Sequence, residues 1–157
     1  MSRFEVKMTK DAQVWNIKIS GVIDEDARFA DFPLAGAPAL RIDLNDVKSI
    51  NSCGIRDWIT WLSKADSVPV ELSQCPKVIV DQVNMVQGFL PATGRVLSFY
   101  VPYYSEETGN EKLVLFRYGH EFTENGVQNL PETIKDEDGS EMEIDVVDSK
   151  YFRFLKR

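Results

Sequence analysis

Four small residues, Asn51-Ser52-Cys53-Gly54, stand where a strand-like segment gives way to a helical pattern. The first N–H groups of a helix lack partners within it, and the helix dipole leaves partial positive charge there. An amide, a hydroxyl and a thiol at such a place suit three roles: a helix cap, a nucleophile, or a hydroxyl that another enzyme phosphorylates. Asn51 and Ser52 are both favoured capping types, and a phosphate on Ser52 would meet the free amides. Gly54 is expected to leave the backbone approachable.

The nucleophile reading has little support in the sequence. A catalytic Cys53 would need a nearby histidine, and the only histidine, His120, is far along the chain. Cys75 precedes the helix-opening Pro76 and is interpreted as a buried residue. Two cysteines do not make a disulfide framework, so both are expected to be reduced. The sequence therefore predicts no catalytic residue, no cofactor and no enzymatic activity.

Strand and helix patterns alternate on both sides of this junction. Residues 14–20, 39–44 and 68–72 have strand character, and a helix is predicted from Pro76 to about Phe89. The helix that follows Asn51 has a stripe of apolar residues, with Trp61 lying off it. The stripe consists of Ile55, Trp58, Ile59, Leu62 and Ala65. Short units of this kind predict an α/β fold with a mixed, mainly parallel sheet faced by helices.

The pattern changes after Pro91. Residues 95–101, 112–117, 141–147 and 151–155 are strand-like and are separated by turns and acidic residues. The sequence predicts two units, residues 1–92 and residues 93–157, the second being a small antiparallel β-rich appendage. Its many aromatic residues are expected to form its core.

Composition narrows the class of partner. The chain has 157 residues and a formal net charge of −7, and the segment from Tyr104 to Asp148 has thirteen acidic against three basic residues. This charge argues against binding nucleic acid or an anionic membrane. No apolar run approaches the roughly 20 residues that span a bilayer, and the N-terminus lacks a signal-peptide core. A cytoplasmic location is therefore expected.

The junction resembles the central strand-to-helix segment of STAS domains, the family of the anti-sigma-factor antagonists. The strand with Asp43-Leu44, the apolar Val47 and the run Asn51-Ser52-Cys53-Gly54-Ile55 correspond to an Asp-Leu strand followed by Asp-Ser-Ser/Thr-Gly-Leu. Upstream, Gly21-Val22-Ile23-Asp24 resembles the Gly-x-Leu-Asp turn of the family. The likeness covers residues 4–90.

This resemblance implies a binding switch without catalysis, in bacterial signalling. It implies that Ser52 is the phosphoacceptor and that Asp24, Asn51, Ser52, Cys53 and Gly54 contact the partner, a signalling protein such as an anti-sigma-type kinase. Asn51 replaces the aspartate of the family and Cys53 replaces its serine or threonine. The acidic tail is interpreted as a region that modulates this contact or mediates homodimer formation.

Two other functions stay open. STAS relatives can bind nucleotides or apolar ligands near this region, although the chain lacks a glycine-rich phosphate loop. The third reading is a structural subunit without a switch.

Two five-residue turns in the tail share an offset with a zinc knuckle. Ser105-Glu106-Glu107-Thr108-Gly109 and Lys135-Asp136-Glu137-Asp138-Gly139 would both read Cys-x-x-Cys-Gly if their first and fourth residues were cysteine. The tail thus resembles a zinc ribbon without its ligands. Because Ser105, Thr108, Lys135 and Asp138 cannot supply thiolates, no metal is expected.

Overall fold

The computed structural model describes residues 3–156, which form a mixed α/β fold with two main sheets. The first half alternates strands and helices, as its pattern predicts. Its elements are β1 (Glu5–Lys10), β2 (Trp15–Ile23), a 3-10 helix (Phe29–Asp31), β3 (Leu40–Ile50), α1 (Ser52–Ser63), β4 (Val70–Ser73), α2 (Lys77–Met85) and β5 (Gly94–Val96). None of the helices formed by the described residues combines the length and the apolar character needed to cross a membrane.

The first sheet has the strand order β1-β2-β3-β4-β5. β1 is antiparallel to β2, and the remaining three pairs are parallel. Right-handed crossovers that step in one direction along a sheet all lie on the same face. The segment of residues 24–39, α1 and α2 therefore cover one face of the sheet.

The main core lies between that face and its helices. Ile17, Ile42 and Leu72 come from three neighbouring strands and are buried, and Trp58 of α1 and Ile79 of α2 belong to the same buried cluster. Each alternating strand thus turns its apolar side chains toward the helices and its polar ones away.

Ion pairs connect neighbouring strands on the other face. Lys18 Nζ lies 3.2 Å from a carboxylate oxygen of Asp46. Glu71 binds Arg41 at 3.0 Å and Arg95 at 2.8 Å, so this one carboxylate joins β3, β4 and β5. Parallel sheets are usually covered on both faces. Here the charged face is only partly covered, and the first half has two layers rather than three.

The second half consists mostly of short antiparallel strands. Its elements are β6 (Ser98–Tyr104), β7 (Glu111–Arg117), β8 (Phe122–Thr123), β9 (Gly126–Val127), β10 (Thr133–Lys135), β11 (Glu141–Ile144), α3 (Asp148–Tyr151) and a 3-10 helix (Arg153–Lys156). Four of the strands form a sheet in the order β10-β11-β6-β7, and β8 pairs with β9. The prediction of a small antiparallel β unit with an aromatic core is confirmed, since Phe99 and Phe116 are fully buried.

The two sheets share one run of chain. Leu97 alone separates β5 from β6, and its N–H donates to Leu72 O in β4 at 2.7 Å. Beyond it, Cys75 forms a parallel bridge with Phe99. The predicted boundary between residues 92 and 93 lies just before β5, so a strand assigned to the second unit completes the first sheet.

The C-terminal segment, residues 148–156, connects the second half to α2 through hydrogen bonds. Asn84 Nδ2 donates to Tyr151 O, and the N–H of Phe154 donates to Asn84 Oδ1, both at 2.9 Å. Tyr151 also donates through its hydroxyl to Tyr100 O in β6. One side chain of the first half therefore makes two hydrogen bonds to this segment.

Three details differ from the sequence prediction. Residues 151–155 are helical, not extended, because Tyr151, Phe152 and Phe154 surround the ring of Phe99 with centroid distances of 5.2 to 6.0 Å. Residues 95–101 are divided between two strands, and α2 ends at Met85.

Trp61 lies off the predicted stripe but is buried, because residues 24–37 fold over it.

Candidate functional site

The start of α1 is capped by Asn51, as one of the sequence interpretations predicts. Asn51 has extended backbone angles, and its Oδ1 accepts from the N–H of Gly54 at 2.9 Å. Its own N–H donates to Ile23 O at 3.1 Å, and its carbonyl accepts from Ile55. These bonds fix the helix start against the end of β2. The cap is thus the asparagine, and the serine beside it is not needed for capping.

Ser52 is the first residue of α1, and its side chain is exposed. Cys53 is half-buried. Within the part of the chain that the structure describes, the N–H groups of Ser52 and Cys53 have no hydrogen-bond partner, as expected for a first helical turn. The tip of α1, residues 51–54, therefore presents the solvent-exposed hydroxyl of Ser52 beside two free amide donors.

Gly54 has a different role from the one expected. A Cβ atom at this position would lie 2.2 Å from Ile23 O, and the residue is buried. Glycine is needed here because the helix start packs directly on the end of β2. The prediction that Gly54 leaves the backbone approachable is wrong.

Asp24 lies beside the tip and belongs to a run of three acidic residues. Its Oδ1 accepts from the N–H of Asp26 at 2.9 Å. Glu25, which the sequence analysis did not single out, accepts from Asn51 Nδ2 at 2.9 Å, and this hydrogen bond lowers the pKa of Glu25. The structure therefore brings Asp24 and the residues of the Asn51–Gly54 run to the same end of the sheet. The signal for Glu25 was its place within the run Asp24-Glu25-Asp26.

The three carboxylates of this run have oxygens within 4.8 Å of one another. Asp24 and Glu25 are already engaged by N–H donors of the protein, and Glu25 and Asp26 are exposed. Solvated acidic residues of this kind repel an acidic surface and attract a basic one. The cluster gives the tip a negative rim.

Cys75 and His120 lie in different environments. Cys75 is fully buried, and burial raises the pKa of its thiol. His120 is exposed and lies in a turn of the second half, where its N–H donates to Arg117 O. The prediction that Cys75 is buried is confirmed.

The two knuckle-like turns are close in space but are not equivalent. In the first, the N–H of Gly109 donates to Ser105 O, four residues back, at 2.8 Å. In the second, the N–H of Gly139 donates to Asp136 O, three residues back, at 3.0 Å. The second turn is therefore one residue shorter, and it begins at Asp136 rather than at Lys135.

A side-chain hydrogen bond joins the two turns. Asn110 Nδ2 donates to Asp136 Oδ2 at 2.9 Å. This bond lies at the end of the second sheet where β6 ends and β11 begins. Of the four residues that stand where a zinc knuckle would have cysteines, Ser105 is buried, and its Oγ accepts from the N–H of Thr108. The exposed positions are Thr108, Lys135 and Asp138.

An apolar groove runs along the side of α1. It has a volume of about 560 Å³ and lies between residues 27–35 and the helix, with Phe29, Leu34 and Trp61 in its lining. Trp61 Nε1 donates to Phe32 O at 2.8 Å, which fixes the indole in the groove wall.

Comparison of the chain with protein-family models, with curated proteins and with solved structures returns no match in any of the three.

Proposed function

We propose that the protein is a STAS-like, non-enzymatic recognition module of the bacterial cytoplasm, carrying a metal-free unit that resembles a zinc ribbon. Support for the fold assignment comes from the order of elements. A first antiparallel strand is followed by parallel strands alternating with helices, and the Asn51–Gly54 run begins the helix after β3. The acidic turn at Asp24 follows β2, where the family has its Gly-x-Leu-Asp turn.

The partner in this proposal is a signalling protein, such as an anti-sigma-type kinase, that binds the tip of α1. The observation that carries the proposal is the exposed Ser52 beside two free amides, held in place by the bonds of Asn51 to Gly54 and Glu25. A rigid, accessible tip with an acidic rim gives a partner a defined shape and charge to recognise.

Phosphorylation of Ser52 is the proposed switch. A phosphate adds about two negative charges and accepts hydrogen bonds from free helix amides. Beside Glu25 and Asp24 it would make this surface strongly negative, which would change which partner protein the tip of α1 binds. Phosphopeptide mass spectrometry on protein from the native cell tests this step, and a Ser52 that is repeatedly unmodified counts against it.

Affinity capture with matched baits tests recognition at the tip. The full-length chain, Ser52→Lys and Ser63→Lys serve as baits in extracts of the native cell. Ser63 is an exposed serine at the other end of α1, so it controls for the added charge. We expect a kinase or another signalling protein to be held by the wild type and by Ser63→Lys and lost with Ser52→Lys. Equal retention by Ser52→Lys would place recognition elsewhere and overturn the proposal.

The second candidate is a sensor of small apolar ligands, and the groove beside α1 favours it. Its volume suits a small ligand, and its lining is mainly apolar. A thermal-shift panel of lipids and nucleotides tests this function, because a ligand that binds only the native state raises the melting temperature. The expected signature is stabilisation by a lipid that Leu34→Lys abolishes. No stabilisation by any ligand at high concentration would dismiss this candidate.

A further inference from the structure

The second sheet exposes a leucine to solvent. Leu113 is 60% exposed and is one of three large hydrophobic residues that are exposed in the described part of the protein. It lies in β7, which pairs with β6 on one side only. For residues 111–116 no backbone hydrogen bond to any described residue outside β6 exists. β7 is therefore a free edge strand of seven residues with an apolar side chain at its middle.

The side chains of β7 that face away from the core form a symmetric sequence. Successive residues of a strand point to opposite faces, so Glu111, Leu113, Leu115 and Arg117 share the outer face, while Phe116 points into the core. Read in either direction along the strand, the outer face has a charged residue, two leucines and a charged residue of opposite sign. Antiparallel pairing of this strand with itself therefore matches opposite charges at both ends.

We propose that two copies of the chain pair through β7, antiparallel, about a two-fold axis at Val114. This register sets Leu113 against Leu115 of the second copy and Glu111 against Arg117 of the second copy, each twice by symmetry. The two four-stranded sheets become one continuous sheet. The partner on this edge is thus a second copy of the chain.

Other registers lose these matches. Residues opposite each other in an antiparallel pair point to the same face, so the axis passes through a residue and not between two. Moving it to Leu113 or Leu115 leaves both Glu111 and Arg117 without a charged residue opposite. Only the axis at Val114 pairs all seven residues of the strand.

The existing ion pair of Arg117 is compatible with this arrangement. Arg117 Nε lies 3.2 Å from Glu121 Oε1, which uses one of the five N–H donors of the guanidinium. The remaining donors are sufficient for Glu111 of the second copy. β1, which is an edge strand of the first sheet, is a poorer candidate for pairing with a second copy. It has Lys7 and Lys10 along it and no exposed large hydrophobic residue.

Sedimentation-velocity measurements on the full-length chain over a wide concentration series test the pairing. A single strand pair buries little surface, so we expect a monomer–dimer equilibrium that shifts toward the dimer in the micromolar range and above. Glu111→Arg and Arg117→Glu each turn two attractive pairs into two repulsive ones and should weaken the dimer at least about tenfold. The double variant Glu111→Arg/Arg117→Glu restores both pairs and should restore the dimer.

Leu113→Lys and Met85→Lys form a second matched pair. Both residues are exposed apolar side chains, at 60% and 72%, and both substitutions add the same charge. Dimer loss is expected with Leu113→Lys alone, and circular dichroism checks that each variant is folded. A wild type that stays monomeric at every concentration would overturn the proposal. So would a dimer that both single charge reversals leave intact, or one that the double variant fails to restore.

Discussion

Asn51 and Ser52 are neighbours with separate roles, and alanine substitution distinguishes them. Asn51 caps α1, so Asn51→Ala should lower the free energy of unfolding by about 1 kcal/mol. Ser52 makes no capping bond and is exposed, so Ser52→Ala should change it by less than about 0.5 kcal/mol. Urea denaturation measures both. If Ser52→Ala lowered the free energy of unfolding more than Asn51→Ala, the assignment of Asn51 as the cap would be contradicted. The proposal that Ser52 is available to a partner protein would also be weakened.

Glu71 links stability to pH. Burial alone would raise the pKa of Glu71, but hydrogen bonds from Arg95 and Arg41 outweigh it and hold the pKa below the usual 4.5. A carboxyl group whose pKa is lower in the folded than in the unfolded state stabilises the protein at pH values above its unfolded-state pKa. This stabilisation is lost as the pH falls through the folded-state pKa. Glu71→Gln should therefore cost about 1 kcal/mol at neutral pH, and its deficit should shrink below pH 4.5.

Urea denaturation at a series of pH values measures this difference. Glu107→Gln is the control, because Glu107 is exposed and makes no ion pair with any described residue. A deficit of Glu71→Gln that stays constant through the acid range would show that the two arginines do not stabilise the ionised carboxylate.

Single residues could be predicted only where the local sequence decides their role. A small polar residue before an apolar helical stripe predicts the cap at Asn51. The role of Gly54 depends on the carbonyl of Ile23, thirty-one positions earlier, which no local pattern reveals. Glu25 belongs to a local acidic run, but its hydrogen bond with Asn51 joins the ends of two strands and could not be predicted from that run.

The start of α1 is fitted so closely to the end of β2 that one methyl group should disturb it. Alanine favours helices over glycine by about 1 kcal/mol. At Gly54, however, the added Cβ would meet Ile23 O at 2.2 Å, so backbone must move. Gly54→Ala should therefore lower the free energy of unfolding by at least about 2 kcal/mol.

Ser63→Ala provides the reference for this helix. Ser63 is exposed in the last turn of α1, so its replacement should be close to neutral. Chemical denaturation of both variants compares them directly. A Gly54→Ala protein as stable as the wild type would mean that the contact with Ile23 relaxes without cost.

At the scale of elements, periodicity predicted most of the first half and less of the second. α1 has a full amphipathic stripe, which specifies a helix. The segment of residues 151–155 is too short for such a test, and its aromatic residues satisfy the core equally well from a helical turn. The burial of Trp61 could not be predicted from the stripe, because residues 24–37 cover it through a tertiary contact.

The two halves should unfold together. All three tryptophans lie in the first half and all five tyrosines in the second: Trp15, Trp58, Trp61 and Tyr100, Tyr103, Tyr104, Tyr118, Tyr151. Tryptophan fluorescence and tyrosine absorbance therefore report the two halves separately. Because the sheets share the run from β5 to β6 and one buried cluster, both signals should give the same denaturation midpoint.

Asn84 is the side chain on which this coupling can be tested. Asn84→Ala removes two hydrogen bonds to the C-terminal segment and should cost about 1 to 3 kcal/mol. Gln87→Ala, at an exposed position nearby, is the control. Two well-separated midpoints in the wild type would show that the halves are independent domains.

The continuity of β5 and β6 has a consequence for synthesis on the ribosome. A nascent chain emerges from its N-terminus, and the strand that completes the first sheet follows the rest of that sheet by twenty residues. Until β5 emerges, β4 keeps an unpaired edge, and Cys75 lacks the neighbour that later covers it. Any gene fusion or recombination event that joins the front half to a different tail must therefore bring its own closing strand.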